Sequence, residues 1–198
     1  MSKLILWNVL SLDGYFEGTK SWDVEWFHSF FDKDQEEFSI EQLRQAGALL
    51  FGRVTYEGMA AYWQTATGVV ADYMNRLPKV VFSRTLERAG WNNTRLIHDN
   101  VAEEVAKLKR EIDGDLYVFG SGQLCATLLE AGLFDEVRLG VVPIILGRGG
   151  TLFGRNLSRV RLKLLEARPL SNGTVILRYA PTLKKSRGDA TLVTGGSG

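Results

Sequence analysis

The residues best suited to chemistry in this chain sit where apolar runs stop. Gly120-Ser121-Gly122-Gln123 ends the run Leu116–Phe119 and opens a helical pattern. The first N–H groups of a helix have no intrahelical partner, and the helix dipole adds partial positive charge there. Glycine lets a ligand approach that backbone closely, so the combination suits a phosphate or pyrophosphate. A single turn of this kind can also exist for steric reasons alone. A second, Leu146-Gly147-Arg148-Gly149-Gly150, follows another apolar run and strengthens the anion reading. A carboxylate completes the set: Asp13, in Ser11-Leu12-Asp13-Gly14-Tyr15, directly follows the first apolar run. It could hydrogen-bond a ring nitrogen or hydroxyl of a substrate, or assist proton delivery. An Asp-Gly turn kept for backbone reasons is the alternative. Asn8, on the run before it, would point near the same pocket if side-chain alternation turns it that way.

Strands and helices must hold these groups. Runs at 3–10, 48–52, 79–83, 94–98 and 115–119 read as strands, and 135–146 as a long one in which Pro143 marks a bulge or an edge. Helical patterns cover 53–64, 69–77 and 122–131, with Pro78 ending the second and Gly132 the third. Val101, Val105, Leu108 and Ile112 share one helix face, with Asn100 as cap and Glu103 three residues on. Ser39 and Gln42 predict a capping box that opens a short helix to Ala46, with Gly47 as its stop. Segments 159–168 and 174–180 then flank Asn172-Gly173, a hairpin turn signal. The expected architecture is α/β: a mixed, mostly parallel sheet flanked by helices, with a C-terminal antiparallel β-hairpin. One domain over 1–182 and a flexible polar tail over 183–198 are expected.

Composition bounds the function. The chain has 198 residues, enough for a full core, and a net charge of +1 from 24 basic and 23 acidic residues. That balance points away from nucleic acid and acidic membranes as partners. No secretory leader and no membrane span are read, and the single cysteine points to a reducing, cytoplasmic setting. Cys125 itself reads as a buried core residue. His28 and His98 lack metal-ligand spacing, so no metal site is expected. The aromatic cluster Trp22, Trp26, Phe27, Phe30 and Phe31 leaves three roles open: a pocket wall for a flat heterocycle, a dimer surface or core packing.

Four segments in order are more specific than any one. Ser11-Leu12-Asp13-Gly14, Gly52-Arg53-Val54-Thr55, Ser83-Arg84-Thr85 and Gly120-Ser121-Gly122 each follow a predicted parallel strand, on the edge where open α/β sheets bind ligands. With these motifs, and with the block GSGQLCATLLEAGLFDEVRLGVVPIILGRGGTLF, the chain resembles the dihydrofolate reductase-like superfamily over residues 3–180. Within it the likeness is greatest to the reductase domain of the bifunctional riboflavin biosynthesis deaminase-reductase.

The resemblance implies an NADPH-dependent reductase that passes hydride to a carbonyl or C=N carbon of a small heterocyclic or sugar-linked substrate. The first candidate is 5-amino-6-(5-phosphoribosylamino)uracil. It implies that Gly52, Arg53 and Thr55 contact cofactor phosphates, and that Gly120, Ser121, Gly122 and Gln123 hold the pyrophosphate. Ser83 and Arg84 would lie near the adenosine ribose and favour its 2′-phosphate. Asp13 would be catalytic, with Asn8, Gly14 and Trp22 beside it at the substrate. Lys20, Arg148 or Arg155 would meet a substrate phosphate, and a homodimer is implied. The H-x-E and P-C-x-x-C signatures of the zinc deaminase half are missing. After Trp22, Asp23 and Glu25 do not match the acidic position of dihydrofolate reductases cleanly. A dihydrofolate or pterin reductase and a non-catalytic NADPH-binding module are the alternatives.

Overall fold

The computed structural model of the chain describes residues 2–153 and 157–182. The tail expected over 183–198 and the candidate cation Arg155 lie outside the described residues. The elements are β1 (Leu4–Ser11), β2 (Tyr15–Glu17), α1 (Glu25–His28), α2 (Lys33–Gln45), β3 (Ala46–Gly52), α3 (Arg53–Trp63), α4 (Val69–Arg76) and β4 (Lys79–Phe82). Then come β5 (Thr94–Ile97), α5 (Val101–Glu111), β6 (Asp115–Phe119), α6 (Gly122–Glu130), β7 (Glu136–Val142), β8 (Gly150–Thr151), β9 (Arg161–Pro169) and β10 (Val175–Thr182).

Eight strands form one sheet in the order β5-β4-β3-β6-β1-β7-β10-β9. Those from β5 to β7 run parallel, while β10 joins β7 antiparallel and pairs with β9 as a hairpin. The α/β class, the mostly parallel sheet and the C-terminal hairpin are thus as expected. β2 and β8 form a separate antiparallel pair.

Helices on both faces explain why the parallel strands read as unbroken apolar runs. Leu4, Leu6 and Leu10 of β1 enter the core shared with Val105 and Leu108 of α5 and Cys125 and Leu128 of α6. Ile5 and Trp7 enter the opposite core, with Phe38 of α2, Tyr56 of α3 and Met74 of α4. No helix among the described residues is long and apolar enough to cross a membrane.

Four local expectations fail, each for a physical reason. The helix α2 begins at Lys33 because Asp32 caps it, its carboxylate accepting the Gln35 N–H at 3.0 Å. Ser39 lies inside that helix and donates back to the Gln35 carbonyl at 2.8 Å. Gly47 is not a helix stop but a residue of β3, where a Cβ would collide with the Asp113 carbonyl. Asn100 does hold the cap position of α5, in the left-handed region at φ 54°, yet its side chain makes no capping bond. The strand β7 ends at Val142, because Pro143 has no N–H with which to continue pairing.

Two buried polar clusters complete the fold. Glu136, 2% exposed, accepts the Nε–H of both Arg138 and Arg178 at 2.6 Å. Arg138 also donates to the Tyr117 hydroxyl at 3.0 Å and to Gln42 Oε1 at 3.3 Å, and Arg178 to Glu166 at 2.7 Å. Burial pushes the Glu136 carboxyl up, but the donors on Arg178 and Arg138 outweigh it and hold the group below its ordinary range. The cluster ties β6, β7, β9 and β10 to α2. The other cluster centres on Lys79, 1% exposed, whose Nζ donates to the carbonyls of Met74, Asn75 and Leu77 at 2.8, 3.0 and 2.8 Å. It also sits 4.5 Å from the Trp91 ring centre. The last carbonyls of a helix lack intrahelical donors, so Lys79 closes the end of α4.

Burial pushes the Lys79 amine down to about 8, which leaves it protonated at neutral pH. Lys79→Met removes the shared donor and strands those carbonyls. We expect it to lower stability by about 2–3 kcal/mol in urea unfolding at pH 7. An unchanged unfolding midpoint would rule the cap out.

Candidate functional site

The strands β3 and β6 are neighbours, and each ends in a turn that opens a helix. Phe51 pairs with Phe119, so the two turns are level. They also fit into one another. A Cβ on Gly52 would collide with Ser121 Oγ, and a Cβ on Gly120 would lie 2.7 Å from Thr55 Oγ1. Each turn's glycine therefore makes room for the other's hydroxyl residue. Gly120 and Ser121 are both left-handed, at φ 53° and 59°, a conformation that strains the serine. Neither α3 nor α6 has a side-chain cap. Two adjacent helix N-termini thus open on the same sheet edge, an arrangement suited to a diphosphate. A third segment joins at Gly122, where a Cβ would lie 2.8 Å from the Leu152 carbonyl oxygen.

The second glycine-rich turn has a different role from the one expected. Its anion is the protein's own: Leu146 N–H donates to Asp13 Oδ1 at 3.1 Å and Gly147 N–H to Asp13 Oδ2 at 2.7 Å. The Ser11 hydroxyl donates to Asp13 Oδ1 at 2.7 Å and accepts the Tyr15 N–H at 3.0 Å. Gly149 and Gly150 lie against Glu17, letting β8 pair with β2. The Ser11 hydroxyl, with the two amides, holds the Asp13 carboxyl below its ordinary value of 3.8. At neutral pH Asp13 is therefore an acceptor with no proton to give. Its exposed carboxylate keeps an open lone pair on Oδ2.

Beyond the ends of β3 and β4, Arg53, Glu57, Thr85, Leu86, Glu87 and Arg88 line an open groove of about 660 Å³. Glu57 holds Arg53 at 2.9 Å. The motif reading did not single out Arg88; only the fold of the turn after β4 brings it to the groove. Arg84 is exposed and does not line it. Among the described residues neither Arg84 nor Arg88 is in an ion pair. Ser83 spends its hydroxyl on the turn, accepting Thr85 N–H at 3.2 Å and Leu86 N–H at 2.9 Å.

Asn8 is buried on β1, and its Nδ2 has no hydrogen-bond partner. Gly14, at φ 88°, makes the turn after Asp13. Trp22 has φ 61°, donates its N–H to Glu17 Oε2 at 3.0 Å, and lays its indole against Gly58 of α3, where any side chain would collide with it. Trp26, Phe27 and Phe31 pack edge-on among themselves around α1, none of whose residues is fully buried. Gln123 is exposed at the start of α6, and Lys20 and Arg148 are exposed on their loops. Cys125 is a core residue: its thiol donates to the Gly120 carbonyl at 3.0 Å, and burial pushes it up to about 12.

Two outcomes test this geometry. Gly52→Ala should cost about 1–3 kcal/mol of stability through overpacking, and Ser121→Gly in the same chain should recover most of it. A Gly52→Ala cost that is the same with and without Ser121→Gly would break the interlock. Asp13 should titrate below 3.8 by NMR, with slowed amide exchange at Leu146 and Gly147 that Asp13→Ala abolishes. Because the folded pKa is lowered, the anchor is complete above about pH 4 and is lost as pH falls through the folded value. A carboxyl that titrates at or above 3.8 would contradict these bonds.

Residues 2–176 match the model of the RibD C-terminal domain. YyaP of Bacillus subtilis (strain 168), itself an uncharacterized protein, is 32% identical over 182 residues, 89% of this chain and 94% of its own length. The structure resembles a putative riboflavin biosynthesis protein from Shewanella sp. PV-4, with a TM-score of 0.74 at 20% identity over 91% of this chain and 99% of that one. It also resembles dihydrofolate reductase from Enterococcus faecalis, solved with NADP(H), with a TM-score of 0.61 at 13% identity over 90% of this chain and 96% of that one. Those structural likenesses show a shared dihydrofolate reductase-like fold. By the extent of the family match and the identity with YyaP, this chain belongs to the RibD C-terminal domain family.

Proposed function

We propose that this protein is an NADPH-dependent reductase that passes hydride to a carbonyl or C=N carbon of a small heterocyclic, sugar-linked substrate. The reaction class is that of 5-amino-6-(5-phosphoribosylamino)uracil reduction. The observation that carries this reading is the pair of interlocked, uncapped helix N-termini at Gly52 and Ser121. Family membership supports it.

The residues present fit a dinucleotide. Gly52 and Gly120 let the two turns close on each other, and the first N–H groups of α6, at Gly122 and Gln123, suit a pyrophosphate. Arg53 reaches a phosphate by exchanging its exposed Glu57 partner. Arg84 and Arg88 are the cations available to a 2′-phosphate, against the opposing carboxylates of Glu57 and Glu87 in the groove. When bound, the nicotinamide supplies the hydride. The chain's own part is orientation. Asp13 accepts an N–H or O–H of the substrate on its open lone pair while its other acceptor sites hold the 146–147 turn. The proton that completes the reduction does not come from Asp13.

We also assign a homodimer. The edge strand β9 leaves Leu162, Leu164 and Leu165 exposed at 41%, 52% and 49%, a surface suited to a second copy. Light scattering should give twice the chain mass, and a mass of 22.1 kDa would refute the assignment.

Titration of the tryptophan fluorescence with NADPH and with NADH tests the main reading. NADPH should saturate, with affinity about tenfold above NADH, since the extra dianion makes charge-assisted bonds to arginine. Arg88→Ala and Arg84→Ala should narrow that gap. Absence of saturable binding by either dinucleotide would remove the reading.

A further inference from the structure

Asn8 is the exception on its face of β1. Its neighbours on that face, Leu6 and Leu10, are core leucines. The register pairs Trp7 with Phe119, the last residue of β6, and Asn8 with Leu139 of β7. Asn8 is therefore level with the Gly120 turn, on the side of the sheet that α6 covers. The residue is 9% exposed, and its Nδ2 is buried with no hydrogen-bond partner. Neither end of the amide bonds to any other described residue. A buried amide left unpaired costs stability, whereas an apolar side chain of the same shape carries no such penalty. The terminal torsion of asparagine is soft, so the amide can turn its NH₂ toward the sheet edge.

We infer that Asn8 is a specificity residue whose NH₂ donates to a carbonyl oxygen of the bound ligand. The inference rests on the reading that these strand ends hold a dinucleotide and a heterocycle. A carbonyl acceptor there has two sources, the carboxamide of the nicotinamide or a ring carbonyl of a pyrimidine substrate. The chemistry is the same: the ligand completes a hydrogen bond that the free protein leaves open. Asn8 thereby trades stability of the empty protein for recognition.

The variant Asn8→Leu tests this. Without ligand it should melt about 2–4 °C above the wild type, since it removes an unpaired donor. With ligand it should bind about tenfold more weakly. Two probes separate the sources: 2′-phospho-ADP-ribose, which lacks nicotinamide, and 5,6-diaminouracil, which brings ring carbonyls, added to the NADP⁺-loaded protein. If the nicotinamide carboxamide is the acceptor, NADPH weakens while 2′-phospho-ADP-ribose does not. If a substrate carbonyl is the acceptor, NADPH is unaffected and 5,6-diaminouracil weakens. A lowered melting temperature means that the amide already has a partner, and overturns the inference. So does NADPH affinity equal to wild type with no loss of 5,6-diaminouracil binding. A wild type that binds no dinucleotide is a distinct result: it removes the reductase reading, and this inference falls with it.

Discussion

Two turns that fill each other's missing side chains decide where everything else at the sheet edge can lie. Gly52 yields to Ser121 and Gly120 yields to Thr55, so β3 and β6 reach the edge at one level with their helices close together. Protein interiors are packed too densely to absorb an extra methyl at such a contact. Moving either turn would carry a helix N-terminus with it. The groove with Arg53 and Arg88 hangs from the first turn. The Leu152 backbone, and with it the β2–β8 pair, leans on the second through Gly122.

The same chemistry appears twice along this edge, once open and once closed. Backbone N–H groups in glycine-rich turns attract anions. At 146–147 the anion is built in, because Asp13 reaches across from the end of β1 and takes both amides. At 121–123 no side chain of the cap does so. The closed turn gives the end of β1 a fixed loop and a permanent negative charge. The open turn leaves the N-terminus of α6 without a side-chain cap. This division also explains why Asp13 suits orientation better than proton transfer: the Ser11 hydroxyl and the amides that place it also keep it ionised.

Sheet, helices and hairpin were legible because their signals are periodic and local. Apolar runs marked the parallel strands, and Gly120-Ser121-Gly122 marked the start of α6 within a residue. What was not legible depended on partners distant in sequence. Asp32 with Gln35 three residues on carries the same capping signal as Ser39 with Gln42, and nothing local chooses between the two, while nothing near Gly47 announces the Asp113 carbonyl. The glycines at 147–150 looked like a phosphate loop because the occupant of that loop lies more than a hundred residues earlier. Glu136 and Arg138, two apart on a strand and so on one face, did carry a readable hint of a buried ion cluster. Its third member, Arg178, is supplied only by the hairpin. Arg88 reached the groove through a turn whose course no local pattern fixes.

The position of β1 has a consequence for how the protein is made. Leu4 pairs with Leu116, and Ile5 with Glu136, so this strand is synthesised more than a hundred residues before the neighbours it pairs with. Closing so long a loop carries a large entropic cost before any contact repays it, which slows folding. Until then the apolar segment LILW is an unpaired strand with both edges open. A strand at the centre of the finished sheet is therefore an aggregation-prone edge while the chain is being made, and a segment that a ribosome-bound chaperone has reason to cover.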